Sequence, residues 1–361
     1  MLHLFLSSET DPDHENLTPA ALDYVMGLRG VFAASDAPEA TVFPGLLAAF
    51  APFFLDTSED AYPLIDAAVE RCRRLGADWE LATTLMFRVH ITVDVPREGA
   101  HAEDDLAELH RLCARTGDRW LSAQVASARA ELAMAQGRYD DARTECEIAL
   151  HFAQEVGAFA EAPFLLARLA EIAHHSGDRS RAEDHMARAA ALAEETASLD
   201  AHAFLILLRA RMALEDGAPH EADALCAELR AVNGRTGGPP TWMAAFADTE
   251  IRVRAAIEGA SAALPQWRGA LDAAVSAHLS GSITASLLET GALLFTENGD
   301  HTTAVHALTV ATRLRGPHAR GPQEAALAAR VTTAAQAALG PEAHAQAVTD
   351  AATLNPADLV T

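Results

Sequence analysis

The residues best suited to chemistry in this sequence are histidines that stand close together on predicted helices. His174 and His175 are adjacent, and Asp178 and His185 follow them closely. Neighbouring residues on a helix point about 100° apart, so two adjacent histidines do not hold one ion together. No H-E-x-x-H or C-x-x-C pattern frames them. We therefore interpret the pair as structural or exposed and expect no metal site.

Covalent catalysis finds equally little support. Cys146 and His151 lack a third residue that would orient the base, and no G-x-S-x-G motif is present. All 27 basic residues are arginine, which excludes a phosphate-binding-loop lysine and a Schiff-base lysine. If the chain were an enzyme, its acid or base would be Glu131, Glu171 or His174. We expect no catalytic residue and no cofactor.

The segments that must position these residues form a repeat. In residues 117–195 an alanine-rich apolar segment runs into a short turn at Gly137, and the same plan returns at Gly177, about 40 residues later. That spacing suits a pair of helices with their connections. Further turn glycines follow at nearly equal steps, at Gly217, Gly259, Gly299 and Gly340. Weaker candidate turns stand near Gly99 and at Asp56.

Small residues recur with the same period. Each alanine in one unit has an equivalent in the next, namely Ala130, Ala142 and Ala149 followed by Ala170, Ala182 and Ala189. Alanine at such positions lets helices approach closely without a cost in helix propensity. We predict an all-α fold, a right-handed α-α superhelix of about eight helical hairpins with units of about 40 residues. Residues 1–361 form one solenoid, with an irregular N-terminal cap at 1–60, regular repeats at 61–315 and a capping hairpin at 316–361.

Composition narrows the function further. A formal charge of −24 argues against nucleic-acid binding, because phosphate contacts need a basic surface. No run reaches 18 consecutive apolar residues, and the N-terminus lacks the basic region of a signal peptide, so we expect a cytoplasmic protein without a membrane segment. The four cysteines stand inside predicted helices, which indicates free buried thiols.

The turns GRYDDA and GDRSRA, together with the small-residue template, resemble the tetratricopeptide (TPR) repeat. The stretch TGDRWLSAQVASARAELAMAQGRYDDARTECEIALHFAQEVG is similar to the TPR region of SARP-type (AfsR-like) and MalT-like LuxR-family transcriptional regulators. The ending AALGPEAHAQAVTDAATLNPADLV is similar to the closing unit of SARP-type proteins. The resemblance covers residues 74–360. It does not include the parts of those regulators that bind ATP and DNA.

The resemblance implies a binding groove, because the first helix of each TPR-like hairpin lines the concave face. In that register the groove residues are Gln124, Glu131, Phe164, Glu171, His174, Phe204, Arg211 and Phe246. The phenylalanines either form an aromatic stripe for an apolar ligand or belong to the core. The implied function is a non-catalytic sensor that binds a protein partner or an apolar small-molecule effector. The alternatives are a stand-alone scaffold for protein–protein interaction and an enzyme of secondary metabolism built on a solenoid.

Overall fold

Helices make up all the regular secondary structure in the part of the chain that the computed structural model describes, which is residues 61–94, 102–157, 161–236, 240–277, 279, 281–316, 320 and 322–360. The fourteen α-helices are α1 Ala61–Leu75, α2 Asp78–Asp94, α3 Ala102–Thr116, α4 Arg119–Ala135, α5 Tyr139–Val156, α6 Ala162–His175, α7 Arg179–Glu195, α8 Leu199–Glu215, α9 Pro219–Thr236, α10 Pro240–Glu258, α11 Ala260–Ser276, α12 Gly281–Glu297, α13 His301–Arg315 and α14 Pro322–Asp350. Two short 3₁₀ helices, Ala351–Thr353 and Pro356–Leu359, follow α14. The predicted all-α superhelical repeat is confirmed.

The turn glycines end the first helix of each hairpin. The six at 137, 177, 217, 259, 299 and 340 all have φ between 70° and 93°, a left-handed conformation that glycine adopts without a steric cost. At Gly177 the turn also satisfies the helix ends. The amide of Asp178 donates to the Ala173 carbonyl at 2.9 Å, and the Asp178 side chain accepts from the Arg181 amide at 3.1 Å. The candidate turns at Asp56 and Gly99 lie outside the described residues.

Alanines hold the regular part of the stack together. Ala130, Ala170 and Ala210 are completely buried in the first helices of three successive hairpins. The second helices repeat the arrangement with Ala142, Ala182 and Ala222, each at most 2% exposed. Because these side chains are a single methyl group, the helix backbones approach closely at the same point in each unit. The period of the sequence is therefore a period of packing.

The C-terminal part packs differently. Trp267 of α11 is fully buried, and its indole N–H donates to the Leu287 carbonyl of α12 at 2.7 Å. The indole also meets the Phe295 ring edge to face, with the centroids 5.2 Å apart. A Cβ on Gly291 would lie 2.3 Å from the indole ring, so only glycine leaves room for it. At Gly340 (φ 76°, ψ 167°) α14 folds back as two helical segments.

All four cysteines are free and buried, as the sequence indicated. Burial raises the pKa of the Cys146 thiol to about 12 and those of Cys113 and Cys226 to about 11, and it also raises the pKa of Cys72. These thiols are protonated at neutral pH and therefore serve as small apolar packing groups.

Candidate partner-binding groove

Helix α8 exposes two opposite sides. Phe204, Arg211 and Glu215 are spaced by seven and eleven positions and share one side, which we call the inner side. His202, Arg209 and Asp216 share the other, about 120–160° away from Phe204 by helix geometry. The equivalent residues of α6 are Phe164, Glu171 and His175, and α4 adds Glu131. We call this surface of α4, α6 and α8 the inner wall.

Polar contacts link neighbouring helices along the inner wall. The Arg168 guanidinium of α6 donates to the Glu131 carboxylate of α4 at 3.2 Å. The Gln124 amide donates to both carboxylate oxygens of Glu161, at 2.7 Å each. Gln124 is only 1% exposed, so its amide fixes the start of α6 against α4 and is not accessible to a ligand.

The predicted aromatic stripe is partly open and partly closed. The rings of Phe164 and Phe204 stack in a tilted arrangement with centroids 5.4 Å apart, and both are half-buried. Phe246 is 4% exposed and packs in a core cluster with Ile206 and Leu207 of α8. An apolar ligand could therefore contact the first two phenylalanines but not the third.

One contact crosses the superhelix. The Gln323 amide, at the start of α14, donates to the Glu215 carboxylate at the end of α8 at 3.3 Å, although the two residues are 108 positions apart. Glu215 also lies 3.2 Å from His174 Nε2 and 3.6 Å from His175 Nε2. Next to it, Asp216 pairs with Arg179 at 2.8 Å. We call these six residues the crossing cluster.

Electrostatics keep the Glu215 carboxylate of the crossing cluster ionised. Burial alone raises the pKa of Glu215, but hydrogen bonds from His175 and Gln323, with the positive charge of Arg211, outweigh it and lower that pKa overall. Glu215 is therefore ionised and acts as an acceptor. The Tyr139 ring lies 5.3 Å from the His175 ring. Burial, and then the charges of Glu171, Glu215 and Glu324, raise the pKa of Tyr139, so its hydroxyl stays protonated.

A buried carboxylate anchors the far side of the crossing. Glu289 of α12 is 2% exposed and accepts two hydrogen bonds of 2.8 Å from Arg315, the last residue of α13. Arg320 donates a third, at 2.7 Å. Arg315 also binds Glu324 of α14 at 2.7 Å. Although burial lowers the pKa of Arg315, its bonds to Glu289 raise it overall. The cluster fixes the residue next to Gln323 and so positions the crossing contact.

The predicted groove residues are distributed unevenly between wall and core. Arg211 is exposed, whereas Glu131, Phe164, Glu171, His174 and Phe204 are half-buried on the inner side. Gln124 and Phe246 are buried and out of reach of a ligand in this conformation. His174 does not chelate with His175, and its nearest charged neighbour is Glu215. The structure thus leaves six of the eight at least partly exposed on the inner side.

Sequence reasoning missed the residues that close the groove: Glu215, Gln323, Glu289, Arg315 and Arg320. One signal was present. Glu289 is the lone charge in the apolar run SITASLLETGALLF, and a buried charge requires partners. The two arginines of the segment RGPHARGP, Arg315 and Arg320, supply them. Gln323 had no local signal, because its contact depends on the packing of the five helices, α9 to α13, that lie between it and Glu215.

The described residues contain neither a metal-binding cluster nor a membrane-spanning helix. No group of three or more His, Cys, Asp or Glu side chains there could hold a metal ion. None of the described helices combines the length and the apolarity needed to cross a bilayer.

No protein-family model matches this chain, and no curated protein matches it. Among solved structures, the crystal structure of yeast Tom70, a TPR-repeat helical protein, is similar, with a TM-score of 0.51 and 12% sequence identity. The chain has a TPR-like superhelical fold. The match covers 88% of this chain and 59% of the Tom70 chain, so this chain spans less than two thirds of that protein. At this level of identity the likeness concerns the fold alone.

Proposed function

We propose that this chain is a non-catalytic regulatory module that binds a partner in the groove along the inner wall, as in the sensory region of SARP-type regulators. The observation that carries the proposal is the inner wall itself. It presents a half-exposed aromatic pair, Phe164 and Phe204, beside side chains of both charges, and it ends at the crossing cluster. TPR-like arrays expose such walls for partner binding.

The inner wall suits a polypeptide that carries both apolar and charged side chains. The phenylalanine pair offers an apolar contact, while Glu171 and Arg211 offer an acceptor and a donor on the same side. An apolar small-molecule effector with one polar group would use the same residues. The chain carries a charge of −24, so DNA contact would come from another protein or another domain.

The crossing contact gives the groove a way to respond to its ligand. The Glu215–Gln323 hydrogen bond joins helices three hairpins apart. Such a bond contributes only about 0.5–1.5 kcal/mol. A ligand that inserts between α8 and α14 and makes slightly better contacts in the opened form would shift the curvature of the whole array. This coupling distinguishes a sensor from a rigid scaffold.

The binding part of the proposal is tested by native mass spectrometry of the full chain purified from its own host. We expect a co-purifying protein or small molecule that is lost in the double variant Phe204→Ala/Arg211→Ala. It should be retained in Arg188→Ala, which removes an exposed arginine of α7. Absence of any bound species, together with no thermal shift across effector libraries, would refute the binding module.

The sensor part is tested by distance measurement across the groove. Spin labels at Asp140→Cys and Gln336→Cys, both exposed positions, report curvature without interference from the four buried native thiols. A sensor changes this distance when the co-purified species is added back, and Gln323→Ala changes it without ligand. Binding at an unchanged distance would instead support the scaffold.

A further inference from the structure

The outer side of α8 forms the floor of a second, separate cleft. Its walls are α7 and α9, and its volume is about 590 Å³. The accessible apolar lining comes from the half-buried Met186 and Met212 with the exposed Ala187 and Ala190, while Leu205 and Ile206 lie almost fully buried beneath them. The inner-wall residues Phe204 and Arg211 do not line it, because they point to the opposite side of α8. This cleft therefore lies on a different side of α8 from the inner wall, and the two surfaces share the Arg179–Asp216 pair of the crossing cluster.

Charged residues line the cleft in an ordered pattern. At one end, Glu183 of α7 and Glu221 of α9 face each other beside the Arg179–Asp216 pair. At the other end, Glu228 lies 3.9 Å from His202. Arg209 stands exposed on the floor midway between His202 and Asp216. Along α8 the cleft is thus negative, then positive, then negative.

Some of the charged side chains of the cleft are free to pair with a partner molecule. Within the described residues, Glu183, Glu221 and Arg209 have no ion-pair partner, so a ligand would not have to displace one. The two walls are helices, and the floor extends along α8 from His202 to Asp216. At a rise of about 1.5 Å for each residue, this floor is about 21 Å long, close to four helical turns. The methionines at positions 186 and 212 can adapt their flexible side chains to different apolar groups.

We propose that this outer cleft binds one amphipathic helix of a partner protein, about four turns long, with basic residues at both ends and an acidic residue at its centre. Its apolar face packs on Met186, Ala187, Ala190 and Met212. Its terminal cations meet Glu183 with Glu221 at one end and Glu228 at the other, while its central carboxylate meets Arg209. An anionic ligand fits poorly, because carboxylates outnumber arginines in the lining four to two.

The test uses two labelled helical peptides that share one leucine face, each of about 16 residues and so a little over four turns long. The first carries lysines at both ends and glutamates at the centre, and the second has these charges exchanged. We expect the first to bind the full chain in fluorescence anisotropy at least tenfold more tightly than the second, with the difference shrinking as salt rises. Equal affinity of the two peptides, or no binding of the first, would overturn the proposal.

Protein variants locate the binding. Glu183→Gln/Glu221→Gln and Arg209→Gln should each weaken the first peptide about tenfold, and Ala187→Trp should block the cleft. The matched control is Glu194→Gln/Glu195→Gln, which removes two exposed carboxylates of the same helix outside the cleft. Circular dichroism confirms that each variant is folded. Loss with the control pair, or with Arg211→Ala on the inner wall, would place the peptide elsewhere and reject the cleft.

Discussion

The helices from α4 to α9 and the helices from α11 to α14 are held together by different kinds of contact. In the first region the fully buried contact points are alanines that recur with the repeat, such as Ala170 and Ala210. In the second region the repeated alanines continue, with Ala292 and Ala304 fully buried, and contacts that occur only once are added to them. Glu289 lies buried between Arg315 and Arg320, and Trp267 fills the space above Gly291. The repeated contacts build a stack of arbitrary length, whereas the single contacts fix its curvature and its end.

The largest expected effect concerns the buried carboxylate. Glu289→Gln leaves Arg315 and Arg320 without their shared anion, and losing one member of a buried ion cluster costs about 3–5 kcal/mol. Urea unfolding followed by circular dichroism should show an early transition of the C-terminal hairpins. Glu131→Gln, the control in the regular region, should cost about 1 kcal/mol or less, because its carboxylate is partly exposed. Equal losses would remove the distinction between the two regions.

The second effect concerns the close approach of α11 and α12. Gly291→Ala places a methyl group 2.3 Å from the Trp267 ring. Overpacking of this kind costs about 1–3 kcal/mol. Gly269→Ala, on the exposed side of α11 with no atom near its added Cβ, should instead stabilise the protein by up to about 1 kcal/mol. Unfolding midpoints of the two variants should move in opposite directions, and a shared direction would contradict the packing argument.

The third effect is a pH dependence of the crossing cluster. The pKa of Glu215 is lower in the folded chain than its usual value, so its contribution to stability is present above the unfolded pKa of about 4.3. That contribution is lost as the pH falls through the lowered folded value. Glu215→Gln should therefore lose less unfolding free energy than the parent chain between pH 6 and pH 3. Parallel acid profiles for the two proteins would show that Glu215 has no such role.

The smallest expected effect on stability comes from Gln323→Ala. Its single exposed hydrogen bond should change the free energy of unfolding by about 1 kcal/mol or less. The shape should change more than the stability, since the crossing is released. Small-angle scattering would then give a larger radius of gyration than for Gln336→Ala, an exposed alanine substitution farther along α14. An unchanged radius would mean that other contacts set the curvature.

The fold was predictable because its determinants repeat. Gly137 and Gly177 indicate the position of the turn in the sequence, and the equivalent glycines downstream adopt the same left-handed backbone conformation. The site was predictable only in part. The repeat register tells which side of its helix a residue occupies, but it does not tell how the next hairpin is rotated and therefore whether that residue is covered. Phe204 and Phe246 are equivalent in sequence, yet Phe246 is buried against α8 while Phe204 is half open. The partnership of Glu215 with Gln323 depends on the summed rotation of several hairpins, which no local pattern contains.

The contact between α8 and α14 also constrains how this molecule can evolve. In most repeat arrays each unit contacts only its neighbours, so a unit can be added or removed without breaking distant contacts. Here Glu215 and Gln323 make contact across the five intervening helices, α9 to α13. Insertion or loss of one hairpin between them would rotate the two residues apart, so length variation among descendants should be confined to the parts of the array that precede α8 or follow α14.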